Sequence, residues 1–180
     1  MTIVRPETPE DSDAVAVLHV RAWRKGYGGI LPDELLARLD PDVWAQRRRD
    51  ALANPDRTFE SLVAEQDGTI VGFTTYGPYR NGQDANDLDP AVGEILAIYL
   101  DPDRWGGGAA GPLMRAALQG LKQPEVRLWV LAENQRAQAF YRKHGLRPDG
   151  VTAMYRPRGT ELDFPEVRMS IVRGRDEQQR

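Results

Sequence analysis

Fourteen residues in the middle of the chain, Asp101 to Met114 (DPDRWGGGAAGPLM), restrict what it can become more than any other stretch. From Gly106 to Gly111 no side chain is larger than a methyl group. An apolar run, Glu94 to Leu100 (EILAIYL), leads straight into it, and Leu113 to Leu121 continues with helical character. A strand, a loop of small residues and a helix in that order leave main-chain N–H groups open at a helix N-terminus, which is an anion-binding arrangement. Pro112 lacks an N–H, but a proline in the first helical turn costs little. Read by spacing alone, Gly106-x-Gly108-x-x-Gly111 is also a dinucleotide fingerprint, and a plain glycine–alanine turn is a third reading.

The order of the surrounding elements narrows the choice. Ile3-Val4-Arg5 reads as a short strand, and Thr8-Pro9-Glu10-Asp11 as a helix start, with apolar spacing kept to about Lys25. Pro32 to Leu39 and Pro41 to Ala53 read as a broken helical pair. Leu62 to Glu65 and Thr69 to Phe73 flank Gln66-Asp67-Gly68, a hairpin signal. Arg80 to Pro90 is polar and reads as a loop. After the glycine run come a strand at Val126 to Leu131, an amphipathic helix at Asn134 to His144 stopped by Gly145, and a strand within Phe164 to Val172. The order predicts an α+β domain with a mixed sheet, parallel only around the glycine loop. A single domain over residues 1–173 is expected, with 174–180 as a disordered tail.

Several function classes fall away. The formal net charge is -3, which argues against a general nucleic-acid binder. Arg47-Arg48-Arg49 is the one basic run, and it reads as a solvated helix face. No cysteine and only two histidines, His19 and His144, leave no basis for a metal cluster or a thiol nucleophile. No GxSxG elbow supports a serine triad. The start MTIVRPETPE has no signal-peptide character, and no apolar run nears the roughly 18 residues that span a bilayer, so a cytoplasmic protein without a membrane segment is expected.

The dinucleotide reading needs an acid at the end of the next strand. Glu125 opens that strand and Glu133 lies at its correct end, so this test does not fail outright. The architecture objects, because a dinucleotide fold begins with its glycine loop and continues through parallel strands. Here the loop follows an antiparallel hairpin.

GEILAIYLDPDRWGGGAAGPLM resembles the central motif of the GNAT superfamily of N-acetyltransferases. In that motif a strand meets the pantetheine arm and a Gln/Arg-x-x-Gly-x-Gly/Ala loop cradles the pyrophosphate of acetyl-CoA. Gly108-Ala109-Ala110 matches its end, and Trp105 stands where the family has Gln or Arg, with Arg104 beside it. A second stretch, Asn134-Gln135-Arg136-Ala137-Gln138-Ala139-Phe140-Tyr141 through Gly145-Leu146, resembles the family's Asn-x-x-Ala-x-x-Phe-Tyr-x-x-x-Gly-Phe segment. The resemblance implies a GNAT-like fold: a largely antiparallel mixed sheet flanked by helices, its central parallel strand pair splayed around the acyl-CoA site.

It further implies acetyl transfer from acetyl-CoA, as co-substrate and without a metal, to a primary amine of a small molecule or amino acid. A protein N-terminus or lysine as acceptor, or a non-catalytic acyl-CoA sensor, are the alternatives. Ile98, Tyr99 and Leu100 would meet the pantetheine by their backbone. Trp105, Gly106, Gly107, Gly108, Ala109, Ala110 and Gly111 would form the pyrophosphate loop, and Asn134, Ala137 and Tyr141 would also touch the coenzyme. Tyr141 is the implied general acid, since a phenol titrating near ~10 suits a departing thiolate. Glu94 is the expected general base, with a pKa raised by burial in an apolar strand, and His19 its substitute. Trp23 and Tyr27 would line the acceptor side. Phe164 to Val172 is expected at a sheet edge where copies could pair, so monomer and homodimer both stay open.

Overall fold

The computed structural model describes residues 1–158 and 160–174. Of the tail expected at 174–180, residues 175–180 lie outside them. The elements, in order, are β1 (Thr2–Pro6), α1 (Ser12–Gly26), α2 (Asp33–Ala37), α3 (Pro41–Ala53), β2 (Glu60–Gln66), β3 (Thr69–Arg80), β4 (Leu88–Leu100), α4 (Ala110–Gly120), β5 (Glu125–Leu131), α5 (Gln135–Lys143), β6 (Arg147–Tyr155) and β7 (Phe164–Val172). The sheet order is β1-β2-β3-β4-β5-β7-β6, mixed and mostly antiparallel, with β4 and β5 parallel. The described residues divide into two compact units, Met1–Gly77 with Ala97–Gly120 and Pro78–Leu96 with the described residues from Leu121 onward.

In the first unit, the β2–β3 hairpin closes through Asp67 (φ 50) and Gly68 (φ 74), the left-handed pair that a two-residue turn requires. The register slips between Ala64 and Glu65, which leaves Val71 as an extra residue in β3. Ile70 and Phe73, three apart, therefore share one face with Val15, Leu18, Val63, Ala97 and Tyr99. Val71 turns to the other, with Ala64, Ala109, Leu113, Ile98 and Leu100. Ala97 to Leu100 thus alternates between two apolar layers, which fixes the strand leading into the glycine loop.

The basic run is not a solvated face. Arg48 clamps both oxygens of buried Glu7, donates to Ser61 Oγ at 2.9 Å and lies 4.2 Å over the Phe73 ring. Arg49 pairs with Asp13 at 2.7 Å, and Arg47 alone of the three stays exposed. A buried carboxylate on the segment after β1 needs a guanidinium, and helical geometry on α3 supplies it.

His19 sits inside a ring cluster, its centroid 4.3 Å from Trp44, 4.6 Å from Tyr99 and 4.9 Å from Phe73. Burial, with the Arg48 charge adding to it, holds the imidazole well below its ordinary value of 6.5. In the unfolded chain His19 takes a proton as pH falls through that value, while the folded chain refuses it. Stability is therefore complete above pH 6.5 and lost below it, with a slope of up to about 1.4 kcal/mol per pH unit. Between pH 7.5 and 5 the parent protein is expected to lose up to about 2 kcal/mol that His19→Leu does not lose. Parallel thermal melts of the two proteins across that range check it.

In the second unit, β4 pairs with β5 from Val92↔Glu125 to Glu94↔Arg127, and β5 pairs with β7 from Glu125↔Val172 to Leu131↔Glu166. Val92, Ile95, Val126, Leu128, Leu146 and Met169 are buried there. Strand β7 lies between β5 and β6, so the expectation that Phe164 to Val172 forms a sheet edge is wrong. The edge is β6, whose opening Arg147-Pro148-Asp149-Gly150 reads locally as a turn and whose residues are nearly all exposed. No buried alternation marks β6 in the sequence. Its register with β7 breaks between Pro148 and Thr152. The expected loop at Arg80 to Pro90 is also shorter: β3 runs to Arg80, and β4 begins at Leu88.

Candidate functional site

In the first unit β4 ends at Leu100, and the next N–H, from Asp101, donates to the Val71 carbonyl at 2.9 Å. Asp101 Oδ1 then caps the short turn Pro102–Arg104 by accepting from the Asp103 N–H at 2.9 Å, and Arg21 of α1 pairs with both aspartates. The chain doubles back at Trp105, whose indole N–H donates to the Leu100 carbonyl at 3.2 Å. The residue that departs from the family motif therefore closes the end of the strand, while the Arg104 side chain is exposed.

The loop that follows is held open by its own backbone. Gly106 (φ +82) and Gly108 (φ +83) adopt the left-handed conformation, and a Cβ on either would meet nothing within 4 Å. The Gly107 N–H donates to the Arg104 carbonyl at 3.0 Å, and its own carbonyl accepts from Gln66 Nε2 at 3.1 Å. Among the described residues the N–H groups of Gly106, Gly108, Ala109, Ala110 and Gly111 make no hydrogen bond. Ala109 is fully buried and anchors the loop against Val71 and Leu113. Five open N–H groups at the start of α4 form a cradle for an anion, and the Arg115 guanidinium stands beside it, its Nη1 3.2 Å from where a Cβ on Gly111 would lie.

Also in this unit, Trp23 and Tyr27 are half-buried in the ring cluster, 5.0 Å apart and edge to face. The Tyr27 hydroxyl lies 2.9 Å from that of Tyr99. The Nε2 of His19 is enclosed and has no hydrogen-bond partner, so this residue packs among rings instead of standing open as a base.

In the second unit, Asn134 caps α5, its Oδ1 accepting from the Ala137 N–H at 3.1 Å. Gln138 is buried and donates to the Ala132 carbonyl at 2.9 Å, tying α5 to the end of β5. Tyr141 is half-buried on the same helix, beside Phe140 at 5.6 Å. The helix stops at Gly145 (φ +89).

Glu94 is 1% exposed, as burial in the strand suggested, but its surroundings are not apolar. Oε1 accepts from Arg80 Nη2 at 2.7 Å, and Oε2 accepts from the Arg80 N–H and Nε at 2.9 and 3.1 Å. The expected apolar enclosure is replaced by an ion pair in which three donors engage the carboxylate. Sequence reading missed Arg80, and it missed Gln83 and Glu166, which meet at 2.7 Å. The only local signal was a turn at Asn81-Gly82-Gln83.

A model of the acetyltransferase (GNAT) family matches residues 31–146. A probable N-acetyltransferase of Mycobacterium tuberculosis is 27% identical over 94% of this chain and 93% of its own length. An uncharacterized N-acetyltransferase of Bacillus subtilis is 30% identical over 74% of each. The crystal structure of the PaiA N-acetyltransferase from Thermoplasma acidophilum, in complex with coenzyme A, shares the fold with a TM-score of 0.73 at 19% identity, covering 96% of this chain and 99% of that one. The chain belongs to the acetyltransferase (GNAT) family and is an acyltransferase. No helix among the described residues is long and apolar enough to cross a membrane.

Proposed function

We propose that this acetyltransferase moves an acetyl group from acetyl-CoA to a primary amine of a small molecule or amino acid, by direct attack in a ternary complex. The observation that carries the reading is the cradle of five unengaged N–H groups from Gly106 to Gly111, which suits a pyrophosphate. A relative in fold is known in complex with coenzyme A, which supports the same ligand here. The matched residues 31–146 run through both units, which supports their working as one domain.

In this reading the loop from Trp105 to Gly111 holds the pyrophosphate, and the backbone of Ile98, Tyr99 and Leu100 bonds the pantetheine. A main-chain N–H near Ile98 polarises the thioester carbonyl as charge develops on its oxygen. Asn134 and Ala137 serve the coenzyme from the start of α5, and Tyr141 protonates the departing sulfur. Trp23 and Tyr27 give the acceptor an apolar wall.

Thermal unfolding with coenzyme A, acetyl-CoA and NADH in separate samples tests the reading. A ligand at 100 times its dissociation constant adds about 2.7 kcal/mol, or roughly 5–10 °C here. Both coenzyme A forms should raise the midpoint and NADH should not; a shift from NADH alone would overturn the proposal. Thiol release from acetyl-CoA with putrescine, tyramine, lysine methyl ester and an alanine-initiated hexapeptide then sorts small amines from peptide N-termini. Tyr141→Phe is expected to lower kcat by about 10²–10⁴-fold with the coenzyme shift retained. A kcat within a fewfold of the parent would remove Tyr141 from the acid role.

A further inference from the structure

The second unit contains another buried carboxylate, Glu166, 7% exposed at the start of β7. The β5–β7 register sets it opposite Leu131, the last residue of β5, and the neighbouring Pro165 carbonyl accepts from the Ala132 N–H at 2.8 Å. Asn134 follows two residues after Ala132. Glu166 therefore stands at the strand end that feeds the cap of α5.

Its two oxygens are not equivalent. Oε2 accepts from Gln83 Nε2 at 2.7 Å, while Oε1 makes no hydrogen bond among the described residues. Gln83 reaches it from a left-handed backbone, φ +62, a conformation uncommon for a residue with a long side chain. Such conformations persist where the surroundings fix them, and here the fixed group is the clamp on Glu166. The other charged groups nearby are committed. Arg80 is engaged by Glu94, and Arg168, two residues along β7, pairs with Asp149 of β6 at 2.7 Å. Burial pushes the Glu166 carboxyl up and the Glu94 charge adds to it, against the Gln83 bond and the Arg80 charge.

A buried carboxylate with one oxygen clamped and the other open, held by a strained turn, is arranged to receive something. The negative charge of the carboxylate disfavours an acceptor or an anion at Oε1 and favours a cationic donor. We propose that Glu166 binds the ammonium of the acceptor through Oε1 and takes its proton. This rests on the acetyl-transfer reading and narrows its substrate to an amine that arrives as a cation. The ammonium gives one proton to Glu166 and becomes a neutral nucleophile. Its lone pair forms the C–N bond at the thioester carbon, the C–S bond breaks, and sulfur leaves with a proton from Tyr141. The second proton on nitrogen passes through water back to Tyr141, and Glu166 releases its own to solvent. The products are amide, free thiol and one proton.

The test uses the full chain with Glu166→Gln and Gln83→Leu. The coenzyme A thermal shift should survive in both. With the best amine of the panel, Glu166→Gln should lose at least 100-fold in kcat/KM at pH 7, lose the acidic limb of the pH profile, and recover towards the parent at alkaline pH. Gln83→Leu should move that limb to higher pH. In free protein carrying ¹³C-labelled glutamate carboxyls, the resonance absent from Glu166→Gln should titrate above the ordinary glutamate range. Titration within that range, or a kcat/KM within threefold of the parent with its acidic limb unchanged, overturns the proposal. A loss equal at every pH does so too, because it marks a merely structural role. Absence of any coenzyme shift or any thiol release condemns the acetyl-transfer reading first, and Glu166's role falls with it; a working parent enzyme with a normal Glu166 condemns only the latter.

Discussion

Arg80→Ala is expected to melt roughly 6–20 °C below the parent protein, the cost of about 3–5 kcal/mol for leaving a buried charge without its partner. The Glu94 side chain is 1% exposed and takes hydrogen bonds from Nη2, Nε and the backbone N–H of one residue, Arg80. Truncation removes two of these three donors and the positive charge that faces the buried carboxylate. The reverse change is milder. The Arg80 side chain is 25% exposed, so in Glu94→Gln the guanidinium can turn to solvent. Replacing both, as in Arg80→Met with Glu94→Leu, should recover most of the loss, because neither charge is then stranded. Calorimetric melts of the four proteins decide it. An Arg80→Ala protein melting within about 2 °C of the parent would show that the pair contributes little.

Gly108→Asp should abolish the coenzyme A thermal shift while the protein still folds. At φ +83 a side chain costs about 1–2 kcal/mol in backbone strain, equivalent to roughly 2–8 °C, but a Cβ there meets no neighbour within 4 Å. The new carboxylate projects beside five N–H groups that have no partner among the described residues, so it takes the place of the anion and repels it. Gly107→Ala is a useful contrast. Its Cβ would lie 2.9 Å from the Arg104 carbonyl oxygen, so it should open the turn and lower the midpoint without adding charge. A full coenzyme shift in Gly108→Asp would mean that the phosphates bind elsewhere.

What the sequence disclosed was local. The glycine run, the Asp67-Gly68 turn, the Asn134 cap and the Gly145 stop each lie within a few residues of the geometry they set. Trp105 was visible as a departure, but its indole bond to Leu100 depends on how the chain doubles back. What stayed hidden was distant. In the sequence Glu94 reads as an acid in an apolar strand because its partner sits 14 residues away on another strand. Arg48 reads as solvated because its partner, Glu7, lies 41 residues back. Strand β6 carries no buried alternation, and without it β7 looked like an edge. Glu166 needed the β5–β7 register before it meant anything.

The division of the chain into two units has a consequence for how the protein is made. Neither unit is a continuous stretch: the first needs residues up to Gly120, and the second combines Pro78–Leu96 with the C-terminal segment. On a ribosome the early part of the second unit emerges well before its companions. Gln83 precedes Glu166 by 83 residues, a wait of roughly 4–17 s at about 5–20 residues per second. The outer edge of β4 stays unpaired until β5 emerges, and the outer edge of β5 stays unpaired until β7 does. The nascent chain is most open to misassociation in this window, and a fragment ending before β7 would leave the edge of β5 without its partner permanently.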